Sequence, residues 1–338
     1  MKFMKALLCT EFGPPEKLIL GEVPNAMPGP GQVAIAVGAC GVNFPDVLMI
    51  QDKYQFKPAL PFAPGGEVAG TVTAIGEDVT TLKPGDRVAA SIGSGGFAEV
   101  ALADAHRCMK IPDGMAFDVA SSFIVAYGTS YHALKDRARI KPGETLVVLG
   151  AAGGVGIAAV ELGAMMGARV IAGASTQEKV DFAKAHGATD GFVYPQLPLS
   201  KDQQKGLSDE IKRLTGGNGA DVLYDPIGDD YTEPGLRAMA WQGRYLVVGF
   251  AAGKIARIPL NLALLKGCDI LGVFWGGAVA RERDAMFADI EQLSRWIAQG
   301  ALKPNICARY NLADAGQALR LLMDRKALGK TVVVMEQL

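Results

Sequence analysis

The sequence predicts an α/β protein in two parts, a compact β domain followed by a doubly wound parallel sheet. Three observations predict it. Up to about residue 125, short β-like runs alternate with Gly- and Pro-rich breaks, as in a compact sheet with long loops. After Lys141-Pro142-Gly143 the texture changes to alternating strand and helix candidates, as a parallel sheet with covering helices requires. Between the apolar run Leu146-Val147-Val148-Leu149 and the apolar segment from Ile157 to Met166 lies a tight glycine turn, Gly150-Ala151-Ala152-Gly153-Gly154-Val155-Gly156.

In the N-terminal part, Gln32-Val33-Ala34-Ile35-Ala36-Val37 and Glu67-Val68-Ala69-Gly70-Thr71-Val72 read as strands. Pro-Gly-Pro-Gly at 28–31, Pro84-Gly85-Asp86 and Gly93-Ser94-Gly95-Gly96 punctuate them. In the second part, strands are expected at 145–149, 169–173, 191–194, 221–224, 245–249 and 270–274. Helices are expected near 154–166, 177–186, 204–214, 232–240 and 283–299. Asp314 to Met323 then reads as a helix and Thr331-Val332-Val333-Val334 as a strand that returns to the first domain. The expected division is 1–125, completed by 300–338, and 126–299.

The chain of 338 residues accommodates two domains. A formal net charge of -1 with 20% charged residues offers no basic footprint, so no nucleic-acid partner is expected. Mean hydropathy is high at +0.19, yet no run reaches the roughly 18 apolar residues of a membrane span. Met1-Lys2-Phe3-Met4-Lys5-Ala6 contains no hydrophobic signal core or cleavage site, and a cytoplasmic protein is expected. The five cysteines (Cys9, Cys40, Cys108, Cys268, Cys307) are scattered without CxxC pairing, as reduced, packed thiols are. His106, His132 and His186 lack metal-ligand spacing, and no metal is expected.

Read as A-x-G-x-x-G, the turn from Ala151 to Gly156 is the dinucleotide fingerprint with alanine in its first position. Gly153 lets the backbone approach a pyrophosphate, Gly156 lets the helix pack on its strand, and the helix N-terminus supplies unpaired N–H groups. Ala152, Gly153, Gly154, Val155 and Gly156 are therefore expected to bind the cofactor. NAD-preferring folds place a carboxylate at the tip of the second strand for the ribose hydroxyls. Here that tip is Gly173-Ala174, and Ser175-x-x-Glu178 has capping-box spacing for the next helix. Ser175, Thr176 and Lys179 remain as hydroxyls and a cation for a 2′-phosphate, which favours NADPH.

Gly41-Val42-Asn43-Phe44-Pro45-Asp46, Tyr54 and Pro61-Phe62-Ala63-Pro64-Gly65-Gly66-Glu67-Val68-Ala69-Gly70, taken with 151–156, carry a more specific signal. Together they resemble the zinc-independent, zeta-crystallin-like NADPH:quinone oxidoreductases of the medium-chain dehydrogenase/reductase superfamily, over essentially the whole chain. Asp225-Pro226-Ile227-Gly228 and the segment from Gly267 to Trp275 look like the branch called quinone oxidoreductase-like protein 2. Where zinc-dependent relatives carry Gly-x-Cys and Gly-His-Glu, this chain has Gly41-Val42-Asn43 and Gly65-Gly66-Glu67. Two expected ligands of a catalytic zinc are therefore missing, and the four-cysteine lobe of a structural zinc is missing too.

The resemblance implies a GroES-like β domain and a Rossmann domain, with NADPH and substrate in a cleft between them. It puts Asn43, Asp46 and Tyr54 in that cleft, with Asn43 also near the cofactor, and makes Thr129 a cofactor contact. Lys179, Tyr194 and Arg325 match positions that hold the adenosine 2′-phosphate. Gly249-Phe250-Ala251 and Phe274-Trp275 resemble loops flanking the nicotinamide. Local alternatives stand beside these: Asn43 and Asp46 as helix caps, Tyr54 as a packing residue, Phe274 and Trp275 as strand-edge packing, and Glu67 as a buried structural acid.

The expected reaction is hydride transfer from NADPH to a quinone or similar activated acceptor. Tyr54 is the expected proton donor or stabiliser, and Asn43 and Asp46 position it or the ribose. The alternatives are NADPH-dependent reduction of a C=C bond in an enone, alkenal or acrylyl-CoA, and an NADPH-binding protein with little catalysis. The apolar strand Asp269-Ile270-Leu271-Gly272-Val273-Phe274 is expected at a sheet edge, where it would pair two subunits into a homodimer.

Overall fold

The computed structural model describes residues 3–335. The chain forms two compact units, one built from the residues up to Ala126 and from Ile290 onward, the other from Tyr127–Asp289.

The first unit is built on a mostly antiparallel sheet. Its strands run in the order Ile306–Asn311, Lys330–Val334, Gln32–Val42, Glu67–Ile75, Arg87–Ser91 and Cys108–Lys110. Val100–Asp104 also pairs with the long strand Gln32–Val42. The chain returns into this unit at its end: Thr331 lies opposite Val42 and Val334 opposite Ala39, antiparallel. Val33, Ile35, Cys40, Val68, Val88, Phe97 and Val333 form part of one buried core. Gly41 is required because a Cβ there would collide with the Ser121 carbonyl oxygen.

The second unit holds a six-stranded, all-parallel sheet in the order Asp190–Val193, Arg169–Ala174, Thr145–Leu149, Ala220–Asp225, Met239–Val247 and Asp269–Gly272. In sequence order this is 3-2-1-4-5-6, the doubly wound arrangement. Leu146, Val147, Val148 and Leu149 are all buried, as a strand covered by helices on both faces requires. Helix Gly154–Met165 is apolar nearly all round and buries Ile157, Ala158, Ala159, Val160 and Leu162. At Gly163 a Cβ would stand 2.5 Å from Leu146 Cδ2, so the small residue sets how closely the helix lies on the first strand. The mixed α/β architecture with a doubly wound parallel sheet is the fold class expected.

Differences from the expected elements have local causes. Helix Thr232–Arg237 stops short of residue 240 and the next strand begins at Met239. There the backbone passes through a left-handed turn at Gln242 (φ 59°), and pairing to the neighbouring strand shifts register between Ala220 and Val222. The strand expected at 270–274 ends at Gly272, and Trp275–Arg281 is a short helix. The cap of helix Gln177–Ala185 is Thr176, whose Oγ1 accepts from the Lys179 N–H at 3.3 Å, so Ser175 and Glu178 do not form its capping box.

Candidate functional site

In a doubly wound sheet the ligand crevice lies at the carboxyl ends of the strands where their order reverses. Here that point falls between Thr145–Leu149 and Ala220–Asp225. The chain leaves the first of these strands through Gly150, left-handed at φ 61°, and helix Gly154–Met165 starts from Gly153 in extended conformation. Gly156 lies against the turn so closely that a Cβ would collide with the Gly150 carbonyl oxygen. Ala152 is buried and Gly153, Gly154 and Val155 are half-buried, at a helix N-terminus whose first N–H groups lack intrahelical acceptors.

The facing loop, after Ala220–Asp225, is held by one buried carboxylate. Asp225 Oδ1 accepts from the Ile227 and Gly228 N–H groups at 2.8 and 2.9 Å. Its Oδ2 accepts from Tyr245 Oη at 2.5 Å and Thr232 Oγ1 at 3.2 Å. Burial raises the Asp225 pKa against these donors, and burial followed by the Asp225 charge raises that of Tyr245. The loop carrying Gly249, Phe250 and Ala251 is tied to the same segment: Ala251 N donates to Pro226 O at 3.1 Å and Ala252 N to Ile227 O at 3.0 Å. Phe250 is exposed. Ile227 Cδ1 would lie 3.3 Å from a Cβ on Gly150, so the two loops meet.

At the tip of the second strand, Arg169–Ala174, there is no carboxylate; Lys179 Nζ donates to Ser175 Oγ at 3.1 Å. Ser175 and Lys179 are half-buried and Thr176 exposed. Tyr194 is buried and its ring packs on Tyr231, centroids 4.8 Å apart. Thr129 is half-buried in helix Ile124–Tyr131. Phe274 caps the helix Trp275–Arg281 and is exposed, while Trp275 is half-buried; neither lies in a strand. Arg325 belongs to the first unit, exposed at φ 56° just past helix Ala315–Met323.

The first unit also brings together Asn43, Asp46 and Glu67, and adds Lys330. Asn43 precedes helix Phe44–Met49 and gives its N–H to Asp46 Oδ2 at 2.8 Å. Asp46 Oδ1 accepts from Gly65 N at 3.2 Å. Asn43 Nδ2 donates to Glu67 Oε2 at 2.9 Å, and Glu67 Oε1 accepts from Val125 N at 3.2 Å. Lys330 Nζ donates to Asn43 Oδ1 at 2.6 Å, Val42 O at 3.3 Å and Glu67 Oε2 at 3.5 Å. Asp46, Glu67 and Lys330 are 1%, 0% and 2% exposed, so the cluster is internal. Burial is the main cause pushing the Asp46 carboxyl up to about 7.

Tyr54 is half-buried against the first unit's core, and burial, then the Asp46 charge, raises its pKa. Sequence reading left out Lys330 and the hub role of Asp225. The only local trace of Lys330 is a cation heading the apolar strand Thr331-Val332-Val333-Val334.

A GroES-like sheet unit and a parallel dinucleotide-type sheet in one chain define a medium-chain dehydrogenase/reductase. Family models agree: residues 29–113 match the alcohol dehydrogenase GroES-like domain, and residues 154–299 match the zinc-binding dehydrogenase domain. The chain is 36% identical over 339 residues to a quinone oxidoreductase-like protein 2 homolog of Nematostella vectensis, covering 99% of this chain and 90% of that one. Human quinone oxidoreductase is 32% identical, with 99% and 98% covered. Among solved structures, Escherichia coli quinone oxidoreductase complexed with NADPH superposes with a TM-score of 0.89 at 26% identity, covering 98% of this chain and all of that one (100%). The chain belongs to the quinone oxidoreductase family of that superfamily.

The zinc implied by the name of the matched domain does not fit the residues at 41–67. At 43 and 67 the side chains are a carboxamide and a carboxylate, and both already accept from the buried Lys330 ammonium, while the Asp46 carboxylate between them accepts from the Asn43 and Gly65 N–H groups. A catalytic zinc draws on Cys, His and carboxylate ligands with an open position.

Proposed function

We propose that this oxidoreductase passes a hydride from NADPH to a quinone or a similarly activated acceptor, without zinc. The observation that carries the cofactor choice is the strand tip Gly173-Ala174, which offers no carboxylate, with Lys179 donating to Ser175 Oγ just beyond it. Bound NADPH supplies the hydride from C4 of its nicotinamide. The N–H groups opening helix Gly154–Met165 take the pyrophosphate, aided by the helix dipole. Ser175, Thr176, Lys179, Tyr194 and Arg325 hold the adenosine 2′-phosphate, and Thr129, Gly249, Phe250, Ala251, Phe274 and Trp275 flank the nicotinamide end.

Tyr54 gives a hydrogen bond or proton to the oxygen of the reduced acceptor. A phenol at its ordinary pKa of about 10 is protonated at neutral pH, and burial, then the Asp46 charge, raises that of Tyr54 further. Asn43 and Asp46 position that part of the site. The exposed side chains of Leu260, Leu264 and Leu265 support a homodimer that pairs through the edge strand Asp269–Gly272.

The test is initial rates of NADPH and NADH oxidation with 1,4-benzoquinone, 9,10-phenanthrenequinone and an α,β-unsaturated ketone, alongside Tyr54→Phe. NADPH-selective quinone turnover, reduced by about a hundredfold in Tyr54→Phe, is the expected result. Turnover of the enone alone would move the assignment to double-bond reduction. Tight NADPH binding with no acceptor turned over would point to a binding protein.

A further inference from the structure

We infer that Lys330 is a positioning residue for the acceptor end of the reaction, acting through Asn43. The inference rests on reading the chain as an NADPH-dependent reductase. The Lys330 ammonium has three N–H groups, and Val42 O, Asn43 Oδ1 and Glu67 Oε2 receive them. A lysine present only to neutralise Glu67 would sit on the carboxylate. Instead Nζ is 2.6 Å from the Asn43 amide oxygen and 3.5 Å from Glu67 Oε2.

The other end of the Asn43 carboxamide is also held, with Nδ2 donating to Glu67 Oε2 at 2.9 Å. The side chain therefore has one orientation. Asn43 in turn starts helix Phe44–Met49, and Asp46 locks that start to Gly65. The helix ends in a turn closed by Lys53 N donating to Leu48 O at 2.9 Å, immediately before Tyr54. A strand from the end of the chain thus fixes the origin of the segment that carries the proposed proton donor.

Lys330→Met alone leaves Glu67 buried without its cation, a change that destabilises strongly. The informative comparison is full-length Lys330→Met with Glu67→Gln against Glu67→Gln alone. Both lose one of the two Glu67 acceptor oxygens that serve Asn43 Nδ2 and Val125 N, and only the double variant lacks the donor to Asn43 Oδ1. Three quantities are read on each: thermal midpoint, hydrogen exchange of the amides at 43–54, and the kinetics of NADPH oxidation with 9,10-phenanthrenequinone. The double variant is expected to recover the midpoint lost in Lys330→Met. Relative to Glu67→Gln alone, it is expected to show faster exchange at 43–54 and kcat down by about tenfold or more, with the NADPH Kd held within about twofold.

Exchange and kcat in the double variant equal to those of Glu67→Gln alone would overturn the inference and leave Lys330 a charge partner of Glu67. Should the double variant not fold, Asn43→Ala keeps the Lys330–Glu67 pair, and the same gain in exchange and loss of kcat is expected; wild-type values there overturn it equally. If the wild-type protein turns over no quinone, the functional reading fails, and the exchange at 43–54 still decides whether Lys330 orders this segment.

Discussion

Tyr245 and Asp225 lie 20 residues apart on neighbouring parallel strands, and the Tyr245 hydroxyl donates to Asp225 Oδ2 across 2.5 Å in the sheet interior. The same carboxylate accepts from Ile227 N, Gly228 N and Thr232 Oγ1. A buried carboxylate with this donor set turns the end of one strand into the anchor for the loops at 226–228 and 249–252.

Tyr245→Phe removes one donor to a buried charge and is expected to cost about 1.5–3 kcal/mol. Asp225→Ala leaves several donors unanswered and is expected to cost more than Tyr245→Phe. Urea unfolding of the two variants checks the order; equal losses would show that the carboxylate is not the hub.

Two glycines separate site effects from general stability. Gly156→Ala drives a methyl into the Gly150 carbonyl oxygen, so the turn must move; NADPH affinity is expected to fall by about tenfold or more, with a stability loss of about 1–3 kcal/mol. Gly206 is exposed inside helix Lys201–Leu214 with nothing within 4 Å of an added Cβ. Gly206→Ala is expected to stabilise by about 1 kcal/mol with unchanged NADPH binding. Fluorescence titration and thermal unfolding read both.

Lys179→Ala removes a cation from the first turn of helix Gln177–Ala185, just past the second strand. A charge-assisted contact contributes about 1.5–3 kcal/mol, so NADPH Kd is expected to rise by about tenfold to a hundredfold while NADH Kd stays put. Parallel losses for both cofactors would remove Lys179 from the 2′-phosphate site.

Asp46 makes stability depend on pH. Burial pushes its carboxyl to about 7, with Glu67 adding to the rise and Lys330 and the Asn43 and Gly65 N–H groups opposing it. The folded protein then holds a proton that the unfolded chain releases near about pH 4. The stabilising contribution of this proton is complete below about pH 4 and is lost as pH rises through about 7. Relative to Asp46→Asn, the wild type is expected to lose stability over that window; parallel stability–pH curves would refute the assignment.

Leu260, Leu264 and Leu265 are 74%, 79% and 68% exposed in the 35.5 kDa chain. Light scattering is expected to give twice the chain mass. Leu264→Asp with Leu265→Asp is expected to raise the dimer Kd by about a hundredfold or more, since each buried leucine contributes about 1.5–3 kcal/mol. A wild-type monomer would exclude the pairing.

Much of the second unit was legible because its signals are local. Apolar runs at 145–149 and 169–173 and the turn at 150–156 follow from strand burial and from the room Gly156 leaves for the Gly150 carbonyl. Ser175-x-x-Glu178 has the capping-box spacing and Thr176, with Lys179 three residues on, does not, yet the extended backbone at 176 makes Thr176 the cap. The strand expected at 245–249 runs instead from Met239 to Val247, its start masked in the sequence by the left-handed turn at Gln242 that breaks the alternation.

By itself the sequence determined the α/β class, the glycine turn and the missing carboxylate at the second strand tip, all consequences of residue type and short-range spacing. Only the tertiary structure decided that Asn43, Glu67 and Lys330 form one buried cluster. Lys330 and Asn43 are 287 positions apart, and no local periodicity records which distant polar groups burial will force to satisfy one another.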